Sequence, residues 1–204
     1  MIRREEAGGV RILTIDRPDR ANSLTASMLE RLAAEAEAAA AAPLRMLVLT
    51  GAGGRAFSAG ADLGEARAGL AVSPLWERLS AAVAAVPAPT VAALNGTLAG
   101  GAFGMALACD VRIAAPQAAF FYPVARLGYL PQPSDPARLA RLVGPARARL
   151  ILALGARLDA REALRFGLVD RLTDDPLAAA RALAEGLEGA DPAHLAAIKR
   201  MVPS

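Results

Sequence analysis

The order of hydrophobic and polar positions predicts strands that alternate with helices. Four segments have the alternating or continuously apolar pattern of a strand, at residues 10–16, 45–50, 90–94 and 111–114. After the first of them, Thr25 is placed to cap a helix that would run to about Ala42 and stop at Pro43. These alternating signals predict an α/β fold with a mainly parallel sheet.

The second half of the chain is predicted to be richer in helix. Residues 102–109 have the apolar pattern of a buried helix, and from Asp135 onward the pattern is almost wholly helical. The exception is a short strand predicted at residues 168–172. Two further helices are predicted to follow Pro176 and Pro192, because proline is favoured in the first turn of a helix.

Length and composition predict one closely packed domain. The chain has 204 residues, which is long enough to bury a substantial core. We expect a single domain over residues 1–204, with a core at about 1–134 and a mainly helical part at about 135–204. Hydrophobic residues make up 54% of the chain but aromatic residues only 4%, so the helices are expected to pack through small side chains.

The charge pattern argues against several kinds of partner. The net charge is +3 and the pI is about 9.7, but no basic run with interleaved aromatic residues accompanies this charge, so no nucleic-acid partner is expected. An anionic small ligand would suit the arginines equally well. Cys109 is alone, which predicts no disulfide framework, no metal site and a cytoplasmic location. No apolar run reaches membrane-spanning length, so no membrane partner is expected.

Two glycine-rich segments, at residues 57–63 and 95–110, carry the clearest chemical signal. Each is predicted to run from a strand through a turn of small residues into the start of a helix. The first backbone N–H groups of a helix have no partner within the helix, so a ligand oxygen can approach them. Two such turns side by side can form one oxyanion hole.

Five ordered segments together resemble the enoyl-CoA hydratase/isomerase (crotonase) family. They are Arg17-Pro18 with Asn22-Ser23-Leu24, Phe57-Ser58-Ala59-Gly60-Ala61-Asp62-Leu63, Pro89-Thr90-Val91-Ala92-Ala93-Leu94-Asn95-Gly96, Leu127-Gly128-Tyr129-Leu130-Pro131, and Ala163-Leu164-Arg165-Phe166-Gly167-Leu168-Val169. The resemblance implies a crotonase-like spiral of ββα units with a helical C-terminal region, assembled as a homotrimer or a dimer of trimers. It also implies an acyl-CoA substrate, with coenzyme A as part of that substrate and no permanently bound cofactor.

The resemblance also implies the residues of the site. It places the two oxyanion donors on the backbone N–H groups of Ala59 and Gly101, and it places Arg20, Ala21 and Arg55 along the channel for CoA. The other implied substrate-binding positions are Ser58, Gly60, Ala61, Asp62, Leu63, Gly100 and Val124. Among these, Asp62 is interpreted as a helix cap, and Ser58 could be a nucleophile only with a base that the sequence does not reveal.

The chain differs from the family at the positions of the residues that transfer protons. Hydratases of the family place catalytic glutamates at the positions occupied here by Gly104 and Val124. Without those carboxylates, hydration by the two-glutamate route is not expected. Tyr122 or Asp135 could be a relocated acid or base. The alternative is that Tyr122 is a buried phenol with one hydrogen bond and that Asp135 caps the helix that opens with Pro136.

The chain is also short for the family, whose members normally continue with further helices beyond the point where Pro203-Ser204 ends this sequence. Three interpretations remain open. The first is an acyl-CoA enzyme that uses the oxyanion hole with non-standard chemistry, as a decarboxylase, isomerase or thioesterase-like enzyme. The second is a catalytically silent protein that binds CoA thioesters. The third is an NAD(P)-dependent oxidoreductase, which the glycines suggest but which lacks a G-x-G-x-x-G after the first strand.

Overall fold

The computed structural model describes residues 1–202, so the chain end at Pro203-Ser204 lies outside the described residues. In this part of the chain the ten strands are β1 (Ile2–Ala7), β2 (Val10–Ile15), β3 (Met46–Gly51), β4 (Ala56–Ser58), β5 (Thr90–Leu94), β6 (Thr97–Ala99), β7 (Val111–Ala114), β8 (Ala119–Phe121), β9 (Leu158–Asp159) and β10 (Arg171–Leu172). The ten α-helices of the same part are α1 (Ala26–Ala40), α2 (Leu63–Arg67), α3 (Leu75–Ala84), α4 (Phe103–Leu107), α5 (Val124–Leu127), α6 (Asp135–Val143), α7 (Pro145–Leu152), α8 (Ala160–Phe166), α9 (Pro176–Glu185) and α10 (Pro192–Met201). Short 3-10 turns occur at Pro18–Arg20, Leu70–Val72 and Gly100–Ala102.

A six-stranded sheet forms the centre of the fold. Its strand order is β1-β2-β3-β5-β7-β10, and every neighbouring pair is parallel except β1 with β2. Alternate residues point to opposite faces, so Leu47 and Leu49 face the main core whereas Met46 and Val48 face a smaller cluster that α9 covers. Burial on both faces explains why these strands are continuously apolar in the sequence.

A second sheet, of four short strands, brings the two glycine-rich turns together. Its order is β4-β6-β8-β9, with β4, β6 and β8 parallel and β9 antiparallel to β8. The first turn follows β4 and the second follows β6, and these strands are hydrogen-bonded neighbours. The predicted order of strand, turn and helix start is therefore confirmed at both places.

The predicted elements are observed, with several differences among the strands. The strand expected at residues 168–172 is reduced to β10, because Leu168 and Val169 instead close the end of α8 through bonds to the Ala163 carbonyl. The edge strand β1, which is largely exposed, and the short strands β8 and β9 were not predicted, because none of them carries a clear hydrophobic period.

The first long helix behaves as its sequence predicts. The Thr25 hydroxyl accepts a hydrogen bond from the Met28 N–H, and the helix ends at Ala40, two residues before the expected Ala42. Ala33 and Ala36 are fully buried, and α1 packs against α3. Small side chains on this face let the two helices approach closely.

Candidate active site

The two glycine-rich turns are in van der Waals contact. Gly60 has a positive φ of 87°, and a Cβ placed on it would lie 2.9 Å from the carbonyl oxygen of Ala99 and 3.5 Å from the amide nitrogen of Gly101. Only glycine accepts both this backbone conformation and this approach. The first turn therefore rests directly on the backbone that leads into the second.

Side chains from the start of the chain hold the first turn in place. The Ser58 hydroxyl is fully buried; it donates to the Asn22 carbonyl at 2.8 Å and accepts from the Gly60 N–H at 3.2 Å. The Asn22 side chain in turn donates to the carbonyls of Ala52 and Ala56. Because both hydrogen bonds of its hydroxyl are structural, Ser58 is a positioning residue and not an available nucleophile.

Asp62 closes the first turn as a helix cap, as the sequence predicts. One carboxylate oxygen accepts from the N–H groups of Gly64 and Glu65 at the start of α2. The other oxygen pairs with the Arg17 guanidinium at 2.8 Å, and this bond, with the capping bonds, holds the pKa of Asp62 below its usual range. Asp62 therefore stays ionised and fixes the backbone next to the turn.

The structure corrects the expected donor in the first turn. The Ala59 N–H donates to the Ala21 carbonyl at 3.0 Å, so it is already used within the chain. In the short bridge to Leu24, the carbonyl of Gly60 and the N–H of Asp62 make the hydrogen bonds. The N–H of Ala61 points the other way, because adjacent groups of an extended segment alternate, and it has no acceptor in residues 1–202. Ala61, not Ala59, presents the available donor.

Gly101 presents the second donor. Its N–H lies in the 3-10 turn that opens α4, and no acceptor for it is found in the described part of the chain. A Cβ on Gly101 would lie 2.9–3.0 Å from ring atoms of Trp76, whose indole N–H is held by the Leu70 carbonyl at 2.8 Å. Glycine is therefore required for packing here as well as for access to the N–H. Gly100, with a φ of 58°, makes the preceding turn possible.

Asp135 fills the space beside Gly104, where the resemblance led us to look for a glutamate. A Cβ on Gly104 would lie 3.0 Å from Asp135 Oδ1 and 3.4 Å from the Cβ of Ser80. Asp135 is fully buried, and its Oδ2 accepts a hydrogen bond from the Tyr122 hydroxyl at 2.8 Å. Its Oδ1 is the one buried side-chain oxygen or nitrogen of residues 1–202 that lacks a hydrogen-bond partner. The structure thus brings Tyr122 and Asp135 together.

The interpretation of Asp135 as a helix cap is wrong. The N-cap of α6 is Ser134, and Asp135 is already the first residue inside the helix. From α3, the Glu77 carboxylate accepts hydrogen bonds from both the N–H and the hydroxyl of Ser134. The carboxyl of Asp135 turns instead toward Tyr122 and Gly104.

Burial controls the protonation of this pair. Desolvation raises the pKa of Asp135 to about 6, opposed by the hydrogen bond from Tyr122 and by the charge of Arg138 and reinforced by the charge of Glu77. Desolvation also raises the pKa of Tyr122, so its hydroxyl stays protonated and donates. The Tyr122 ring stacks on Phe103 with centroids 5.3 Å apart, and its oxygen accepts the Gln132 N–H at 3.4 Å.

The remaining candidate residues are placed around these turns. Val124 begins α5 with a nearly buried apolar side chain, so the second glutamate position offers no proton carrier. The side chains of Arg20 and Arg55 are exposed and make no hydrogen bond or ion pair with residues 1–202, which leaves them available to an anionic ligand. Ala21 is half-buried, and Leu63, the first residue of α2, is 79% exposed.

Two cavities lie away from the turns. One, of about 250 Å³, is lined by residues that include Gly53, Asn95 and Asp174. The other, of about 1080 Å³, lies between α4, α6 and α10. Neither is lined by Gly60, Ala61 or Gly101. No group of three or more potential metal ligands occurs within residues 1–202, and no helix there is long and apolar enough to cross a membrane.

Comparison with known proteins agrees with this architecture. The family model described as enoyl-CoA hydratase/isomerase matches residues 5–203. A Mycobacterium tuberculosis protein named "Probable enoyl-CoA hydratase EchA14" is 41% identical over 184 residues, which are 87% of this chain and 71% of that protein. "Probable enoyl-CoA hydratase echA6" of Mycobacterium leprae is 36% identical over 207 residues, covering 99% of this chain and 82% of that protein.

Solved structures show the same fold. The enoyl-CoA hydratase of Bacillus anthracis superposes with a TM-score of 0.90 at 32% identity, over 98% of this chain and 81% of that one. DspI of Pseudomonas aeruginosa superposes with a TM-score of 0.88 at 34% identity, over 97% of this chain and 78% of that one. These matches confirm the resemblance and the crotonase fold, and they argue against the oxidoreductase alternative. The chain belongs to the enoyl-CoA hydratase/isomerase family.

Proposed function

We propose that the protein binds acyl-CoA thioesters and stabilises their enolates in an oxyanion hole formed by the N–H groups of Ala61 and Gly101. The observation that carries the proposal is that these two donors have no acceptor within residues 1–202 and lie on turns in direct contact. Family membership makes an acyl-CoA thioester the substrate class to test first.

The physical reason is the change of charge during the reaction. The thioester oxygen gains negative charge as an enolate forms, and backbone donors that are already in place need no reorganisation to meet it. One such donor is worth roughly 3–4 kcal/mol of transition-state stabilisation in comparable sites. The hole therefore favours reactions that pass through an enolate or a related oxyanion.

Two-glutamate hydration is not among the reactions that we propose. Gly104 and Val124 carry no ionisable group, so neither can activate a water molecule or protonate the substrate. Decarboxylation, isomerisation and thioester hydrolysis remain, and decarboxylation makes the smallest demand because departing CO2 generates the enolate without a base. The proposed reaction class is thus non-standard lyase, isomerase or thioesterase-like chemistry on acyl-CoA.

The rest of the substrate has candidate contacts nearby. Arg20 and Arg55 are exposed cations without side-chain partners in residues 1–202, and they would pair with the phosphates of CoA. Leu63 offers apolar surface two residues after Ala61. We also propose a homotrimer or dimer of trimers, which sedimentation at micromolar protein would test; a monomer there would contradict it.

A chromophoric thioester tests the hole directly. When 4-dimethylaminocinnamoyl-CoA binds in an oxyanion hole, polarisation of its carbonyl shifts its absorption to longer wavelength. We expect the shift with the wild type, a smaller shift with Gly101→Ala, and its loss with Gly101→Pro. Gly101→Ala is the matched control. Alanine and proline at position 101 would both place a Cβ against Trp76, but only proline removes the backbone N–H. Equal shifts for the two variants would refute the role of the Gly101 N–H.

A catalytically silent CoA-thioester-binding protein is the second candidate, favoured by the lack of a carboxylate at both glutamate positions. It predicts the spectral shift with no turnover of malonyl-type, 3-enoyl or saturated acyl-CoA thioesters. Turnover of any of these by the wild type, lost in Gly101→Pro, would exclude it.

A further inference from the structure

We propose that Asp135 is the proton carrier of this site, supplying from α6 the carboxyl group that position 104 lacks, with Tyr122 as the residue that positions it. The proposal rests on the proposed function, because a base beside the hole is useful only if the hole binds a thioester. It assigns the reaction to proton transfer at the carbon next to the thioester carbonyl.

The first argument is location. Asp135 Oδ1 lies 3.0 Å from the point where a Gly104 Cβ would be, and Gly104 follows Gly101 by three residues. At about 1.5–2 Å of rise per residue in helical segments, these residues are separated by about 4.5–6 Å along the axis. The carboxyl is therefore about one helical turn from the second oxyanion donor, in the space beside Gly104 where a side chain is missing.

The second argument is the exchange of space between two elements. A side chain at position 104 would press on Oδ1 of Asp135, which would have to move by a few tenths of an ångström, so the glycine in α4 accommodates the aspartate of α6. A carboxylate on either element would occupy nearly the same volume, since both would lie between α4 and the Ser80 side of α3. Loss of the glutamate at 104 therefore need not mean loss of the carboxylate.

The third argument is the unequal use of the two carboxyl oxygens. Oδ2 is held by the Tyr122 hydroxyl, which is itself oriented by the Gln132 N–H and by stacking on Phe103. Oδ1 is completely buried and has no hydrogen-bond partner within residues 1–202. Buried oxygens without a partner are rare because each costs free energy, and a catalytic role is one of the recognised reasons for one. One oxygen is anchored and the other is left available for a proton.

The charged groups around Asp135 suit a base that works near neutral pH. Glu77 faces it from α3 and Arg138 from its own helix, while the neutral Tyr122 hydroxyl faces it from the segment after β8. From α4, the uncharged Gly104 approaches it. With a pKa of about 6, the carboxyl is largely ionised at pH 7 and yet basic enough to accept a proton from carbon.

The step needs no other reactant. Asp135 Oδ1 takes a proton from the α-carbon of a 3-enoyl-CoA; the C–H electron pair becomes the carbon–carbon double bond of the dienolate, and the carbonyl pair moves to the oxygen held by Ala61 and Gly101. Oδ1 then gives a proton to the γ-carbon as the carbonyl re-forms, and in D2O a carboxyl that has exchanged with solvent delivers deuterium instead. The product is the 2-enoyl-CoA, an isomer of the substrate.

The test follows deuterium uptake and isomerisation of 3-hexenoyl-CoA in D2O by mass spectrometry and absorbance. We expect the wild type to catalyse both and Asp135→Asn to slow both by roughly 10²–10⁴-fold. The shift of 4-dimethylaminocinnamoyl-CoA should persist in Asp135→Asn, which shows that the hole is still formed. Equal isomerisation rates for the two proteins would overturn the proposal for Asp135 and leave the hole intact.

Tyr122→Phe provides a second variant with a distinct readout. Its hydroxyl lowers the pKa of Asp135, so removing it should move the rise of rate with pH upward from about 6. An unmoved profile would overturn the pairing of Tyr122 with the base, whether or not Asp135→Asn folds. A wild type that shifts the probe but neither isomerises 3-hexenoyl-CoA nor exchanges deuterium would overturn this inference alone. A wild type that does not shift the probe would overturn the proposed function and this inference together.

Discussion

The oxyanion turns and the acid/base region beside them follow different structural rules. In the turns, the reactive groups belong to the backbone, and their positions depend on glycines such as Gly60 whose conformation or contacts allow no side chain. Beside the turns, the group that we propose as reactive is the side chain of Asp135, which comes from a different element than position 104. Backbone donors require a local sequence pattern, whereas a carboxylate can reach the same space from any neighbouring element.

The largest effect is expected from moving carboxylates back to the positions that hydratases use. The wild type should have negligible crotonyl-CoA hydratase activity, and Gly104→Glu with Val124→Glu should create little, because the new side chain meets Asp135. Adding Asp135→Gly should free that space and raise hydration by at least 10-fold over the double variant, since positioned acids and bases contribute roughly 10²–10⁴-fold each.

The double and triple variants differ only at position 135, so any difference in their hydration rates is due to Asp135. Hydration by the wild type at ordinary rates would refute the interpretation of Gly104 and Val124 as lost catalytic positions. Equal activity of the two variants would show that Asp135 does not compete for the space beside position 104.

A smaller effect is expected on the pH dependence of stability. The pKa of Asp135 is raised from 3.8 to about 6 in the folded protein, so between these values the folded state binds the proton that the unfolded state has lost. Stability should therefore fall as pH rises from about 4 to about 6 and level off above. Two pKa units correspond to about 3 kcal/mol. The free energy of unfolding of Asp135→Asn, relative to the wild type, should rise by up to about this amount between pH 4 and 7 in urea titrations.

Asp62→Asn is a useful control for that measurement, because the pKa of Asp62 is lowered and its linkage has the opposite sign. A difference between wild type and Asp135→Asn that does not change with pH would show that Asp135 is not the group that titrates.

The contact between the turns is tested by Gly60→Ala, with Gly54→Ala in the same loop as its control. The new Cβ at position 60 would meet the Ala99 carbonyl at 2.9 Å in a left-handed backbone, whereas at position 54 it has no neighbour within 4 Å. We expect Gly60→Ala to cost about 1–3 kcal/mol of stability and to abolish the spectral shift of the cinnamoyl probe. Gly54→Ala should change neither. If Gly60→Ala shifts the absorption of the probe as much as the wild type does, the contact between the two turns is not required to form the oxyanion hole.

The smallest effect is expected at the exposed arginines. Arg55→Gln and Arg20→Gln should each weaken binding of an acyl-CoA by about 0.2–1 kcal/mol at low salt, because exposed ion pairs are screened by water and salt. The matching acyl-pantetheine lacks the nucleotide and should bind each variant and the wild type equally. Calorimetry that finds the same loss with both ligands would place these arginines away from the nucleotide.

Local pattern by itself determined the central sheet, the capped helix after Thr25 and the two turns. These features follow from interactions between near neighbours: buried parallel strands are continuously apolar, Thr25 accepts from an N–H three residues away, and Asp62 caps the helix that it precedes. The family signatures identify the same turns, so the general position of the oxyanion hole was predictable.

Only the tertiary structure decided which groups are available there. Ala59 and Ala61 are both alanines of one turn, and what distinguishes their N–H groups is the pairing of that turn with Ala21 and Leu24. Asp135 lies 31 residues after Gly104 in the sequence, and no periodicity shows that its Oδ1 faces that glycine. Hydrogen-bond partners and shared volume are properties of packed neighbours, so they depend on how distant segments meet and not on the order of residues within either one.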